Sequence, residues 1–342
     1  MHAALRLTLA SLALGACFML PAQATSPKPG SIASTQARYI ATYFPGRMTG
    51  TPAEMLSADY LRQQFVQMGY QSDIRAFNSR YLYSTKDNHK SWHNVTGSTV
   101  IAAHEGKAPQ QIVILAHLDT YAPQSDIETE KNLGGLTLQG IDDNAAGLGV
   151  MLELADALKS VPTQYSIRFI ATSGEEEGQL GAKNYLERLS PAEKKNILLA
   201  INLDSLIVGD RLVFSSGKNT PASVRKLTRD RAMAIARHHG IQAASRTSIS
   251  HGDAAVFDNA DIPVLTVEAA NTSPARHSRA FPDGTSGHDI RLDNQQHIDQ
   301  ALPGRIEHRT RDIIRIMLPL MKELAKACLL YTSDAADDMQ CV

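Results

Sequence analysis

Four short apolar runs constrain this chain more than any other feature: IVILA, IRFIAT, LLAIN and IPVLTV. Each is too short for a stable helix and apolar at consecutive rather than alternate positions. Strands that read this way are buried on both faces, as in a parallel sheet. Segments at helical spacing separate them. TPAEMLSADYLRQQFVQMG closes on Gly69, and NAAGLGVMLELADALK sets Leu148, Met151, Leu152, Ala155 and Leu158 on one face. TPASVRKLTRDRAMAIARHHG lies between LLAIN and IPVLTV, and RIEHRTRDIIRIMLPLMKELAKA ends the body with a kink expected at Pro319. Residues 78–100 are polar and aromatic and read as a long connection or a hairpin. The alternation predicts a single-domain α/β three-layer sandwich, a mostly parallel mixed sheet with helices on both faces.

Composition narrows the partners. Lys and Arg number 34 against 35 Asp and Glu, for a formal net charge of −1, so no basic surplus argues for nucleic acid. Arg6, the apolar run LTLASLALGACFMLP and small residues up to Ala24 read as a signal peptide over residues 1–24. The run is short for a membrane span, so a periplasmic or secreted protein is expected, with lipidation at Cys17 of LGAC as the alternative. Beyond the leader, cysteine occurs only at Cys328 and Cys341, in a tail (328–342) that resembles translated adapter sequence. The domain is therefore read as residues 25–327, held by neither disulfides nor thiolate metal sites.

In a parallel sheet, ligands sit beyond the carboxyl ends of the strands. The residues found there are unusual in their sum. His117 and Asp119 follow IVILA, and Asp142 and Asp143 open the next helix. Glu175, Glu176 and Glu177 follow IRFIAT, and Asp204 follows LLAIN. Singly, each has a plainer reading: a helix N-cap, a surface histidine, a solvated acidic run. Together, so many carboxylates at one sheet edge need a cation. One histidine among carboxylates suits Zn²⁺, Mn²⁺ or Co²⁺ better than Ca²⁺.

The series AHLDTY, GIDDNAAG, SGEEEGQLG, INLD and a late histidine resembles the secreted di-zinc aminopeptidases, from about residue 35 to 326. That resemblance implies two Zn²⁺ ions per chain. Asp143 would bridge them, His117 and Asp204 would complete one site, and Glu176 with His288 the other. Glu175 would be the general base, and Asp119 would bind the far nitrogen of the His117 ring. Asp142 is left as a cap or supporting group, and Glu177 as solvated. His277 and His297 are the alternatives to His288, whose partner aspartate, Asp293, lies one residue further on than the family pattern has it. GDAAVFDNADIPVL also matches a family segment, with Asp253 in place and Ala254 where many members have histidine.

The resemblance further implies peptide or protein N-termini as substrates, with alkaline phosphatase as one candidate and N-terminal arginine as one preference. Asp126, Glu128 and Glu130 would form either a solvated loop or an acidic wall that attracts such a side chain. Rival readings on related sequences are a carboxypeptidase-like enzyme with an inserted dimerisation domain, a glutaminyl cyclase with one zinc, and a non-catalytic binding module.

Overall fold

The computed structural model describes residues 27–131, 133–249, 251–271 and 290–326. The expected leader, the 328–342 tail, His277 and His288 therefore lie outside the described residues.

Eight strands form one mixed sheet in the order β1-β2-β4-β3-β5-β8-β6-β7. They are β1 (Gln71–Ser84), β2 (Lys90–His104), β3 (Ala108–His117), β4 (Tyr165–Thr172), β5 (Ile197–Leu203), β6 (Arg211–Ser216), β7 (Ala243–Arg246) and β8 (Val264–Ala270). The centre, β4-β3-β5-β8, is parallel, as the apolar runs require. Antiparallel pairings join β2 to β4 and β6 to β8. The polar 78–100 stretch belongs to a long antiparallel hairpin, β1 with β2, whose register runs from Gln71↔Ala103 to Ser84↔Lys90. Since β2 meets β4 only through Val100–His104, the hairpin tip projects past the carboxyl end of β4.

The helices are α1 (Ser31–Tyr43), α2 (Pro52–Gln67), α3 (Asp126–Glu130), α4 (Ala146–Leu158), α5 (Leu180–Glu187), α6 (Pro191–Lys195), α7 (Ala222–Arg225), α8 (Arg231–His238), α9 (Asp253–Asn259), α10 (Gln295–Ala301) and α11 (Arg305–Leu324). Successive side chains of β3 point to opposite faces and so define the layers. Ile112, Ile114 and Ala116 join a large apolar cluster with residues of α1, α2, α4, α8 and α11. Val113 and Leu115 join a smaller one with Ala182, Tyr185 and Leu186 of α5 and Phe257 of α9. This is the three-layer sandwich expected. The α4 face named from the sequence is buried, and so are Val150 and Leu154 on its other side, because α1 and α11 cover α4 as well. Lys226–Asp230 forms a π turn inside the 221–240 helix, and α11 continues as helix through Pro319. Among the described residues, no helix is long and apolar enough to cross a membrane.

Candidate active site

The central strands stop where their sequences turn polar, and the stops share one edge. β3 ends at His117, β4 at Thr172 before Glu175 and Glu176, and β5 at Leu203 before Asp204. The fourth contributor is a break. Gly140 opens the turn Ile141–Ala145, and Asp143 leaves helical geometry (φ −121°, ψ 88°), with a cis peptide bond to Asn144. Asn144 donates from Nδ2 to the Leu203 carbonyl (2.9 Å), while its Oδ1 accepts from Gly147 N (3.2 Å). A Cβ at Gly147 would lie 2.5 Å from that same carbonyl, so glycine permits α4 to reach the end of β5.

His117 is buried and faces three acids. Its Nε2 lies 2.7 Å from Asp143 Oδ1 and 3.6 Å from Asp204 Oδ1. Its Nδ1 lies 3.1 Å from the Asp119 carbonyl oxygen and 3.5 Å from Asp119 Oδ1. The Asp119 main chain thus orients the ring, with the carboxylate alongside; Asp119 Oδ2 accepts from Glu176 N (3.2 Å). One ligand atom each from His117, Asp143 and Asp204 lies within 4.8 Å of the others, a grouping fit for a metal ion. Glu175 and Glu176 line the same cavity of about 540 Å³, together with His251, Arg246 and Glu268.

The charge balance of this edge is lopsided. Burial is the largest influence on Glu175 and Glu176, and neighbouring acids, Asp143 among them, add to it, so both are pushed well above the usual carboxylate range. Burial would lower His117, but bonding to Asp119, Asp143 and Asp204 overcomes it and raises the ring well above its ordinary value. Asp204 is raised by burial and lowered more by His117, ending below normal. Asp253, which accepts from Thr172 Oγ1, is pushed up to about 7 by burial. Asp119 Oδ1 has no hydrogen-bond partner among the described residues. Crowded carboxylates raise one another in this way, and a divalent ion would bring Glu175, Glu176 and His117 down. The donor set of one imidazole and several carboxylates fits zinc.

One expectation is corrected here and two open alternatives are resolved. Glu177 is buried, not solvated: its Oε2 accepts from Thr49 Oγ1 (2.9 Å), and burial and Asp119 raise it to about 8. A tight turn, in which Gly178 N (3.0 Å) and Gln179 N (2.9 Å) donate to the Glu175 carbonyl, carries Glu177 to the Thr49 loop. Asp142 is a supporting group rather than a cap. Its Oδ1 accepts from Ile207 N (2.6 Å) and Val208 N (3.3 Å) and ties the segment after Asp204 to the Asp143 turn. Asp126, Glu128 and Glu130 form no wall at this cavity, because Ser125 caps them into α3. Asp126 accepts from Tyr83 Oη (2.9 Å) and Lys86 N (3.0 Å), Glu128 from Gln124 N (2.6 Å), and Glu130 pairs with Lys86.

Supports that the sequence does not signal surround the site. Arg47 is wholly buried and donates to the carbonyls of Leu118 (3.0 Å), Gln139 (2.8 Å) and Gly140 (3.2 Å), stapling the exit of β3 to the Asp143 turn. Burial lowers its guanidinium to about 10, with Asp293, Asp119 and Asp143 opposing. Asp293 accepts from Asp142 N (2.8 Å) and Asp143 N (3.0 Å). His251 lines the cavity, whereas His297 lies on α10 away from it.

The family model "Peptidase family M28" matches residues 99–314, which contain every one of these strand ends. The chain belongs to peptidase family M28. Its relatives agree. It is 67% identical, over 96% of its length and the whole of the relative, to the alkaline phosphatase isozyme conversion protein of Escherichia coli. It is 36% identical to aminopeptidase YwaD of Bacillus subtilis over 34% of this chain and 23% of that one. In structure, this M28 chain is similar to a zinc aminopeptidase from Bacillus subtilis (TM-score 0.66, 16% identity, 88% of this chain and 96% of that one). It is also similar to the glutaminyl cyclase of Porphyromonas gingivalis (TM-score 0.65, 19% identity, 87% and 99%). At such identities the likeness speaks to the fold, which is that of the zinc aminopeptidases, and leaves the chemistry to the residues.

Proposed function

We propose that this M28 peptidase is an exported aminopeptidase that removes N-terminal residues from peptides or proteins with two zinc ions and Glu175 as general base. The observation that carries the reading is the His117–Asp143–Asp204 grouping beside two half-buried glutamates, both raised well above the usual carboxylate range. Asp143 would be shared between the ions, with His117 and Asp204 on one and Glu176 and His288 on the other. When bound, the metal supplies an acidified water and an electrophile for the scissile carbonyl.

The remaining work falls to the chain itself. Asp119, by its main-chain carbonyl with the carboxylate alongside, holds the His117 ring in one orientation, so its Nε2 faces Asp143. Asp293 and Arg47 hold the Asp143 turn from behind. Glu175 lies beside Asp204 across Gly252, at 3.7 and 3.5 Å from a Cβ built there, in an environment that raises its proton affinity. It is placed to take the proton of the attacking water and return it to the leaving amine.

Alkaline phosphatase as a substrate would follow from the name of the 67% identical relative, and a preference for N-terminal arginine is what the sequence resemblance implies. The α3 acids give this no support. Glu268 does: it lines the cavity, is raised by burial, and in the structure is met by a guanidinium, Arg246 Nη1 at 2.8 Å. A substrate guanidinium has a carboxylate to meet there.

The test is hydrolysis of arginyl and leucyl 4-nitroanilides by the purified zinc-loaded chain, beside their N-acetylated forms. Hydrolysis only of the free amines is expected. Cleavage of the acetylated substrates would make it an endopeptidase. Cyclisation of N-terminal glutamine without hydrolysis would give it the chemistry of its cyclase neighbours.

A further inference from the structure

We propose that the cavity between α8, α11 and the segment after Asp204 binds a small phosphate-class oxyanion, at a place separate from the strand-end cluster. The cavity measures about 350 Å³ and is lined by Asp210, His239–Gln242 and residues of Arg305–Arg315. Four arginines, Arg305, Arg309, Arg311 and Arg315, reach it from one side of α11.

Arg309 forms its floor and is 6% exposed. Its Nη2 donates to the Gly209 carbonyl (2.6 Å), and its Nε has no hydrogen-bond partner among the described residues. Arg305 Nη1 donates to the same carbonyl (2.9 Å) and to that of Val208 (3.1 Å). Two guanidinium groups therefore converge on one neutral acceptor. Burial, then the charge of Arg305, lowers Arg309 to about 10. Asp312 lies 3.3 Å from Arg311 Nη2 and 3.2 Å from His308 Nδ1, and its charge, with that of Asp142, offsets only part of the cost at Arg309. Asp210 offsets part of the field at Arg305 and Arg309. Further along α11, Arg315 Nη2 lies 3.2 Å from Nδ1 of His239 at the end of α8, which closes the cavity on that side.

A buried cation held mainly by a neutral carbonyl is costly, and an anion in the cavity would remove that cost. Guanidinium forks bind planar and tetrahedral oxyanions through paired N–H donors. A carboxylate offers oxygens in one plane and satisfies one fork well. A phosphate offers oxygens on every side and can face the floor and the Arg315 wall together, which is why it is the class favoured here.

The experiment is equilibrium dialysis of ³²P-labelled inorganic phosphate against the zinc-loaded full chain, with a saturating hydroxamate inhibitor occupying the candidate metal centre. Saturable binding near one phosphate per chain is expected, weakened about tenfold or more in Arg309→Gln and in Arg315→Gln. Arg309 is buried and its loss can unfold the chain, so Arg315→Gln, at the half-buried wall, is the deciding variant. That variant should keep wild-type hydrolysis of aminoacyl nitroanilides. Unsaturable binding by the wild type, unchanged binding by Arg315→Gln, or displacement of phosphate by an equal concentration of triglutamate would each overturn the proposal.

Discussion

Two acidic regions of this molecule lie near each other in sequence and differ in one respect. The acids of α3 have partners: Asp126 has Tyr83 and Lys86, Glu128 has Gln124, and Glu130 has Lys86. The acids at the strand ends, Asp143, Glu175, Glu176 and Asp204, crowd near the His117 imidazole, and Glu175 and Glu176 are pushed well up by burial. An acid satisfied by its own chain and set outside the cavity is structural. Acids crowded beside other acids at the cavity are arranged for something the chain does not itself supply. Alternation along the sequence makes Asp126, Glu128 and Glu130 look functional, and their hydrogen bonds show why they are not at the cavity.

The contrast can be broken most forcefully at Glu175. Glu175→Gln should retain zinc yet lose about 10²–10⁴-fold in turnover, the usual scale for removal of a general base. Near-normal rates at full zinc content would show that the proton moves by another route. A chelator should likewise abolish activity, with Zn²⁺ or Co²⁺ restoring it and reductant harmless, because residues 18–327 contain no cysteine.

A smaller effect sharpens the same contrast within substrate choice. Glu268→Gln should narrow the ratio of arginyl to leucyl hydrolysis by about tenfold, the loss expected for one charge-assisted contact of about 1–2 kcal/mol. Amides at Asp126, Glu128 and Glu130 together should leave that ratio unchanged and lower thermal stability slightly. The opposite pattern would return specificity to α3.

Glu54 offers the mildest test, on stability rather than rate. Its Oε1 accepts from Ser98 N (2.9 Å), its Oε2 has no hydrogen-bond partner among the described residues, and burial raises it to about 7. A carboxyl raised on folding binds its proton more tightly when native, so its contribution is full below the unfolded pKa and is lost as pH rises to about 7. Wild type should therefore lose on the order of 2–3 kcal/mol between about pH 4.5 and about pH 8 that Glu54→Gln does not. Parallel denaturation profiles for the two proteins would mean that Glu54 ionises normally.

Much of this was legible in the sequence because it is local. The runs IVILA, IRFIAT and LLAIN are buried on both faces, so their composition announces them, and the polar residues that end them mark the site edge. RLVFSS, which became β6, is short and half-polar and gives no such signal. The supports were hidden for a different reason. Arg47 reaches carbonyls 71, 92 and 93 residues away, and Asp293 holds backbone groups 151 and 150 residues away. Nothing in FPGRMTG distinguishes Arg47 from a solvated loop charge, and Asp293 of IRLDN stands out only as the expected partner of His288, not as the holder of the Asp143 turn. The burial of Glu177 is hidden for the same reason, since it is met by Thr49, 128 residues away, rather than by its neighbours.

If the strand-end acids, unlike those of α3, await a metal, then removing one of them must cost zinc and removing the α3 acids must not. Zinc per chain, measured by mass spectrometry after gel filtration, tests this most directly in three proteins: the wild type, Asp143→Asn, and the Asp126, Glu128, Glu130 triple amide. Two ions are expected in the wild type and in the triple amide, and fewer than one in Asp143→Asn. Equal zinc in all three would contradict the distinction, as would a wild type that binds none.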